Sequence, residues 1–492
     1  MDYIGISAGF HDASISVISG GNIVFAGHSE RYSKIKNDKN LSVGLIEDAL
    51  SYVDDEYELH YYENPILKYL RQLRAGQNPK LTTLFAKNII GKDIHDMFGN
   101  RKIHTHGHHL THAAAGFQTS NFVDATVVVI DAIGEFDTIT IWDARYTTKG
   151  PKYTKLWSQQ YPNSIGLFYS AMTKRVGLKP NEEEYILMGM SAYGNDDAYP
   201  DLSMDLLNDS YNVNFKINLH TGVEDSYLNT FDDFQIASSA QTMVEHLIMN
   251  VMQRARVISE SRNLVYAGGV ALNCVANKNL GKHFDRIWIM PNPGDAGSSL
   301  GAAALGFNYR VNWRNAFLGY DIKGKYPVNK LLDSLLRGEI VGVANGRAEF
   351  GPRALGNRSL LADPRGNEIK ERVNEIKRRQ KFRPFAPVIL EEYAHQYFDM
   401  PRGFNDSRYM QSVATCRYPE LFPAIVHIDG TSRVQTVPND GSGIRELLEK
   451  WYVMTECPML LNTSLNIRGE PMVNDKGDAR RFEKMYDIKV HT

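Results

Sequence analysis

The sequence predicts an α/β protein in two parts, a duplicated front portion followed by a second, smaller α/β unit. Three observations predict it. Two segments share one design, YIGISAGFHDASISVISGGNIVFAG from Tyr3 and ATVVVIDAIGEFDTITIWDARYTTKG from Ala125: strand, small-residue turn bearing an acid, strand, turn, strand. Near Tyr326 the character of the chain changes. And 492 residues are more than one ordinary core organises.

The first strand and turn unit carries Asp12 and the second carries Asp131. Their repetition points to a duplicated fold. Acid-bearing hairpins at the start of two similar halves are how the actin, sugar-kinase and Hsp70-like ATPases hold nucleotide phosphates, so the expected front portion is actin-like. A further element follows at NLVYAGGVALNCVANKNL, where a strand runs into Gly268-Gly269 and then a helix. Glycine lets backbone approach a ligand and helix N-termini favour anions, which makes Gly268, Gly269 and Asn273 candidate nucleotide contacts. Strand, glycine and helix also recur wherever helices pack on sheets, and that reading stands beside the first. YPVNKLLDSLLRGEIVGVANGR then reads as an amphipathic helix stopped by Gly338 and followed by a strand. The boundary falls at 325 to 330, giving units 1–326 and 327–492.

Composition narrows the function. With 43% hydrophobic and 23% charged residues the chain is globular rather than disordered. A formal net charge of −2 argues against a general polyanion binder and leaves room for a local basic patch. No apolar run approaches a membrane span. The start, MDYIGISAGFHDASISVI, lacks a basic leader, and three scattered cysteines fit a reducing compartment, so a cytoplasmic protein is expected.

HTHGHHLTH at 104 to 112 gathers five of the fifteen histidines. His108 and His112 are four apart and lead into three alanines, so both rings should leave one helix face, as two ligands of a metal would. The glutamate that a zinc protease needs after the first histidine is His109 here, which disfavours hydrolytic zinc chemistry. Asp295, in PNPGDAGSSLGAAAL, is the candidate third ligand, and Asp131 a fourth, directly or through water. Mixed His and carboxylate ligation suits iron, manganese or zinc with positions open to substrate. His104, His106 and His109 are read as surface or satisfied core neighbours.

HHLTHAAAGF, VVIDAIGEFDT, EEEYILMGMSAYG, AGGVALN, PGDAGSSLGAA, GRAEFGPRALGNRSLLADPR, FRPFAPVIL, HIDGTSRVQTV and LLNTSLNIRGEP occur in order across nearly the whole chain. Together they resemble the O-carbamoyltransferases of the nodulation-factor and antibiotic-tailoring type. The resemblance implies an N-terminal part similar to the catalytic subunit that makes threonylcarbamoyl-adenosine in tRNA, and a C-terminal part similar to threonylcarbamoyl-AMP synthase. It implies that the C-terminal site joins carbamoyl phosphate and ATP into carbamoyl-adenylate with release of pyrophosphate, and that the N-terminal site passes the carbamoyl group to a hydroxyl and releases AMP. His108, His112 and Asp295 match the family's metal ligands, and Asp131 the acid of its D-G-x-G-E segment. The implied cofactors are ATP with Mg2+, carbamoyl phosphate as co-substrate, and a divalent metal, Fe2+ foremost. Two departures stand out: Ala132 replaces the first glycine of that segment, and Ile186 stands where the family commonly has lysine.

An anionic, unstable donor needs concentrated positive charge. Arg347, Arg353 and Arg358 recur at spacings that suit one anion-lined loop. Lys381 and Arg383 resemble the paired basic residues of threonylcarbamoyl-AMP synthases, and Ser464 and Asn466 their Ser-x-Asn phosphate contact. Arg353 and Arg383 are the catalytic candidates, with His427 and Arg433 as further site residues. Arg372, Lys377, Arg378 and Arg379 are read as a solvated basic helix. At the N-terminal site the acceptor hydroxyl needs a base, for which His11 and Asp12 are candidates; Asp12 reads equally well as a turn-former.

Two other functions remain open, an actin-like superfamily ATPase, which would release ADP rather than AMP, and direct tRNA threonylcarbamoylation. The acceptor is open too, with sugars, antibiotic scaffolds and hydroxymethylated cytosine in DNA all within the family's range. A homodimer is compatible with the sequence.

Overall fold

Isoleucine and small residues fill Asp2–Ser7, a strand buried on both faces, because sheet neighbours flank it and a helix lies against it. The computed structural model describes residues 1–492 apart from positions 210, 367, 381 and 405. Two compact units emerge, Met1–Ser33 with Asn37–Arg314, and Asn315–Thr492 with Lys34–Lys36.

In the first unit β1 (Asp2–Ser7), β2 (Ser14–Ser19), β3 (Asn22–His28), β4 (Tyr57–Tyr61) and β5 (Ile103–Thr105) form a sheet in the order β3-β2-β1-β4-β5. The first three run antiparallel and the last two join in parallel. β6 (Asp124–Gly134), β7 (Asp137–Thr147), β8 (Gly150–Gln160), β9 (Asn263–Ala267) and β10 (Arg286–Trp288) repeat the plan as β8-β7-β6-β9-β10, with the same antiparallel and parallel junctions. The matching orders make this unit a duplicated actin-like fold.

Between the two sheets lie the His108–Thr119 and Ser298–Phe307 helices. Their small residues are a packing requirement: a Cβ on Gly301 would stand 1.9 Å from the Thr111 carbonyl oxygen, and one on Gly5 1.8 Å from that of Ser299. The metal-ligand candidates are therefore carried on elements held at backbone contact. Where a helix was expected after Gly268-Gly269, the chain makes a 3-10 turn, Gly269–Leu272, and a single helical turn, Cys274–Asn277, capped by Asn273. That turn is too short to offer an anion-binding N-terminus.

The second unit pairs β11 (Phe317–Ile322) with β13 (Gly346–Glu349). β12 (Val341–Ala344), β14 (Arg358–Ala362), β15 (Ala386–Leu390), β19 (Gln435–Val437), β20 (Met459–Ser464) and β21 (Val490–His491) form a sheet in the order β19-β15-β20-β14-β12-β21. β16 (Phe398–Asp399), β17 (Ala414–Cys416) and β18 (Thr431–Ser432) make a small separate sheet. One face of the larger sheet takes the Glu368–Ile376 helix through Ile369 and Val373. The other takes Val328–Leu336 and Gly443–Thr455 through Leu331, Leu335, Leu447 and Trp451. The units divide between Arg314 and Asn315, ahead of the 325 to 330 boundary read from the sequence, because β11 is hydrogen-bonded to β13 and belongs with it. The change of character at Tyr326 marks the next helix instead. No helix among the described residues is long and apolar enough to cross a membrane.

Candidate functional site

Helical spacing brings His108 and His112 one turn apart at the start of a buried helix. Their Nε2 atoms lie 3.1 Å apart. Asp131, on β6, places Oδ2 2.9 Å from His108 Nε2 and 3.7 Å from His112 Nε2. Asp295, on the 3-10 turn that leads into Ser298–Phe307, places Oδ1 at 3.4 and 3.3 Å from the same two nitrogens. All four residues are buried and their ligating atoms lie within 4.8 Å of one another. With both imidazoles neutral, as metal ligation requires, this buried set carries two negative charges, and burial of such a set is costly unless a cation or ring protons balance it.

The donor set fits a divalent ion. Spacings near 3 Å are what ligand atoms about 2.1 Å from one ion adopt at right angles to each other. Surrounding groups fix the ligands in place. Ser298 Oγ lies 3.2 Å from His112 Nδ1 and sets that ring's orientation. The Gly269 amide donates to Asp131 Oδ1 at 3.1 Å, so this predicted nucleotide contact is engaged by a carboxylate of the candidate centre. Glu135 Oε1 accepts the backbone N–H of His108 at 3.1 Å and of Asn64 at 2.7 Å. Gly134 is required beside them, since a Cβ there would meet His108 Cδ2 at 2.3 Å. Ala132, where the resemblance led to a glycine, sits within β6 and is not among the residues of positive φ, so its backbone makes no demand for glycine there.

Charge balance in the pocket favours cations. Burial opposes the imidazolium of His108, but the carboxylates of Asp295 and Asp131 outweigh it and bring its pKa up to about 10. Burial likewise works against the charge of Asp131, yet hydrogen bonds from His108 and His112 hold it well below the carboxylate range.

His11 stands at the edge. Its side chain is 30% exposed, its Nδ1 lies 2.9 Å from Asp12 Oδ2, and its Nε2 lies 3.6 Å from Asp295 Oδ2. Burial opposes its charge, but Asp295 and Asp12 bring its pKa up to about 9; a proton on Nδ1, donated to Asp12, leaves Nε2 as the atom that faces the His108–His112–Asp131–Asp295 cluster. Asp12 has φ of 52° in the turn, so it forms the turn and orients the ring at once. Asn273 exchanges two amide hydrogen bonds with Gln241 and caps the following turn. Among the other histidines, His109 is buried with Nδ1 2.9 Å from Thr140 Oγ1, and His106 is hydrogen-bonded to His60, on which His104 stacks.

In the second unit the sequence expectations divide. Ser464 Oγ donates to Asn466 Oδ1 at 2.8 Å at the end of β20. Reaching them is Lys377, whose Nζ contacts the Ser464 carbonyl oxygen, Ser464 Oγ and Asn466 Oδ1. Lys377 is buried, not part of a solvated basic face. Burial, then Arg379 and Arg383, push its pKa well below the lysine range, so a basic cluster of Lys377, Arg379 and Arg383 adjoins the Ser464–Asn466 pair. The signal was in the sequence: Ile369, Val373 and Lys377 are spaced i, i+4, i+8 and share the inward face.

Arg358 has another role than the one expected. Fully buried, it donates to the carbonyls of Tyr320, Asn345, Gly346, Asn357 and Asn474, which occupies the fork that would grip phosphate. Arg347 likewise donates to the Gly319 and Leu318 carbonyls of β11. Arg353 is half-buried on the turn after β13, whose backbone is organised by Glu349 Oε1 accepting the amides of Leu355, Asn357 and Arg358. His427 Nδ1 lies 3.7 Å from Asp429 Oδ1, and Arg433 Nε is buried with no hydrogen-bond partner among the described residues. Lys381 lies outside the described residues.

The fold and the site define a two-unit protein whose actin-like unit holds a buried two-histidine, two-carboxylate centre. The chain belongs to the carbamoyltransferase family: the family's Carbamoyltransferase N-terminus matches residues 45–304 and its Carbamoyltransferase C-terminus residues 332–491. It is a carbamoyltransferase by that membership. It is 32% identical to an uncharacterized protein of Synechocystis sp., over 97% of this chain and 93% of that one. It is 29% identical to the nodulation protein NolNO of Sinorhizobium fredii, over 95% and 76%. Among solved structures, component A of the (R)-2-hydroxyglutaryl-CoA dehydratase of Acidaminococcus fermentans aligns with a TM-score of 0.34 at 14% identity, over 62% of this chain and 97% of that one.

Proposed function

We propose that this chain is an ATP-dependent O-carbamoyltransferase that forms carbamoyl-adenylate in its second unit and transfers the carbamoyl group to an acceptor hydroxyl in its first. One observation carries the reading: in a chain of the carbamoyltransferase family, His108, His112, Asp131 and Asp295 converge beside a histidine whose Nε2 faces them.

The balanced chemistry is as follows. Carbamoyl phosphate and water give carbamate and phosphate. A carbamate oxygen attacks the α-phosphorus of ATP and pyrophosphate leaves. The acceptor oxygen then attacks the carbamoyl carbon, the bond to the AMP oxygen breaks, and one proton is released. In the second unit Lys377, Arg383 and Arg353 supply positive charge to the anionic donors, and Ser464 with Asn466 presents polar contacts beside Lys377. In the first unit His11 Nε2 takes the acceptor proton, with Asp12 fixing the tautomer. His108, His112, Asp131 and Asp295 hold a divalent ion, Fe2+ foremost, with Mg2+ accompanying ATP. Such an ion supplies Lewis acidity toward the carbamoyl carbonyl and the adenylate phosphate. The acceptor is a hydroxyl-bearing small molecule, a sugar, or hydroxymethylated cytosine in DNA.

The test is incubation with ATP, labelled carbamoyl phosphate and a panel of such acceptors, reading pyrophosphate, AMP and the mass gain of one carbamoyl group. His112→Ala should abolish transfer and leave pyrophosphate formation intact, whereas Arg353→Ala should abolish pyrophosphate formation, with transfer returning only when carbamoyl-adenylate is supplied ready-made. Loss of the same half-reaction in both variants overturns the division of labour.

A further inference from the structure

The Pro65–Arg74 helix is amphipathic in the inverted sense. Ile66, Leu67, Leu70 and Leu73, spaced to share one side, face solvent, with Ile66 55%, Leu70 48% and Leu73 45% exposed. The inward side is polar. Lys68 Nζ pairs with Glu63 Oε2 at 2.7 Å, and Arg71 Nε donates to the Glu135 carbonyl at 3.1 Å. Asn64 caps the helix through Oδ1, which accepts the Ile66 and Leu67 amides. Three polar tethers thus fix the rotation that turns the leucines out. Leu81, 70% exposed, and Phe85, 59% exposed, follow in the next turns.

Charge accompanies the apolar face. Residues 65–102 carry eight Lys or Arg against two acids in a chain of net charge −2, and Arg74, Lys80, Lys87 and Lys92 are exposed. An outward aliphatic stripe edged by cations needs an occupant that is apolar and anionic together. A second copy of the chain would bring the same positive excess face to face, which like-charge repulsion opposes. A nucleic acid would be met by stacking aromatics, and this stripe is mainly leucine and isoleucine.

We propose that residues 65–92 form a docking surface for an acidic lipid bilayer, with the leucines entering the headgroup region and the lysines meeting the lipid charge. The surface adjoins the candidate active site. Phe10, 57% exposed, lies under Lys68 Nζ at 5.6 Å and directly precedes His11.

Vesicle co-sedimentation of the full chain tests this, using phosphatidylglycerol mixed with phosphatidylcholine against phosphatidylcholine alone. Binding should favour the acidic vesicles by at least about tenfold and weaken with salt. The double variant Leu70→Gln, Leu73→Gln should lose at least about tenfold in vesicle affinity, with metal content, melting temperature and pyrophosphate release unchanged. Lys80→Glu with Lys87→Glu should remove the acidic-lipid preference. The proposal is overturned if neither vesicle binds, or if the leucine variant binds as well as the parent. It is also overturned if that variant instead dissolves a dimer, or removes binding to duplex DNA while vesicles are ignored.

Discussion

The Nε2 atoms of His108 and His112 lie 3.1 Å apart, and each is within 3.4 Å of Asp295 Oδ1. Two imidazoles turn the same edge toward one another in a buried pocket only when a proton or a cation mediates between them, and two carboxylates close by favour a dication over one proton.

The purified protein is therefore expected to carry about one divalent ion per chain. Elemental analysis should show that ion lost in His112→Ala. Carbamoyl transfer should fall by about a hundredfold or more, since the charge that develops on the carbonyl loses its counterpart. Transfer at full rate after exhaustive chelation contradicts this.

Ser298→Ala removes the hydroxyl that orients His112 through Nδ1. Metal affinity should drop by roughly 10- to 100-fold while the fold persists. Competition against a chelator of known affinity measures it, and circular dichroism separates it from unfolding.

Lys377 gives the second unit a pH dependence of known sign. Unfolded, its amine titrates near 10.5; folded, burial and the neighbouring Arg379 and Arg383 hold it well below. Between those two values the unfolded chain binds the additional proton. The stability of this unit should thus rise as pH is raised toward 10.5 and decline as pH falls, by up to about 1.4 kcal/mol per pH unit. Denaturant titrations across that range check the slope, which Lys377→Met should flatten. An anionic donor bound beside Lys377 favours its protonated form, so binding should take up a proton, readable by calorimetry in buffers of different ionisation enthalpy.

Arg358→Ala should behave as a folding defect. The buried guanidinium satisfies carbonyls of Tyr320, Asn345, Gly346, Asn357 and Asn474, and deleting it leaves buried acceptors without donors, at a cost of about 4 kcal/mol or more. The measurement is chemical denaturation. A stable variant lacking only pyrophosphate formation would return Arg358 to the phosphate site.

The two hairpins and the four residues that meet in the buried cluster were legible because their signals are local. Strand alternation, an i, i+4 histidine pair and an acid in each small-residue turn leave marks within a few residues. The roles of the arginines were not. Whether a guanidinium meets phosphate or backbone carbonyls depends on which strands return beside it, and Arg358 meets the Tyr320 and Asn474 carbonyls from distant parts of the chain. Lys377 was hidden differently. Its neighbours Arg378 and Arg379 make the run look solvated, and only the spacing from Ile369 and Val373 reveals the inward face. The 3-10 turn after Gly269 escaped notice because its amide answers to Asp131, far away in sequence.

One oxygen of Glu135 receives two amides, that of Asn64 where the leucine helix begins and that of His108 where the ligand helix begins. The two helices thus share a single anchor, and rocking either one stretches the bond that steadies the other. If the leucine helix docks and the cluster holds an ion as proposed, the two bindings are terms of one equilibrium, each altering the other by the same factor.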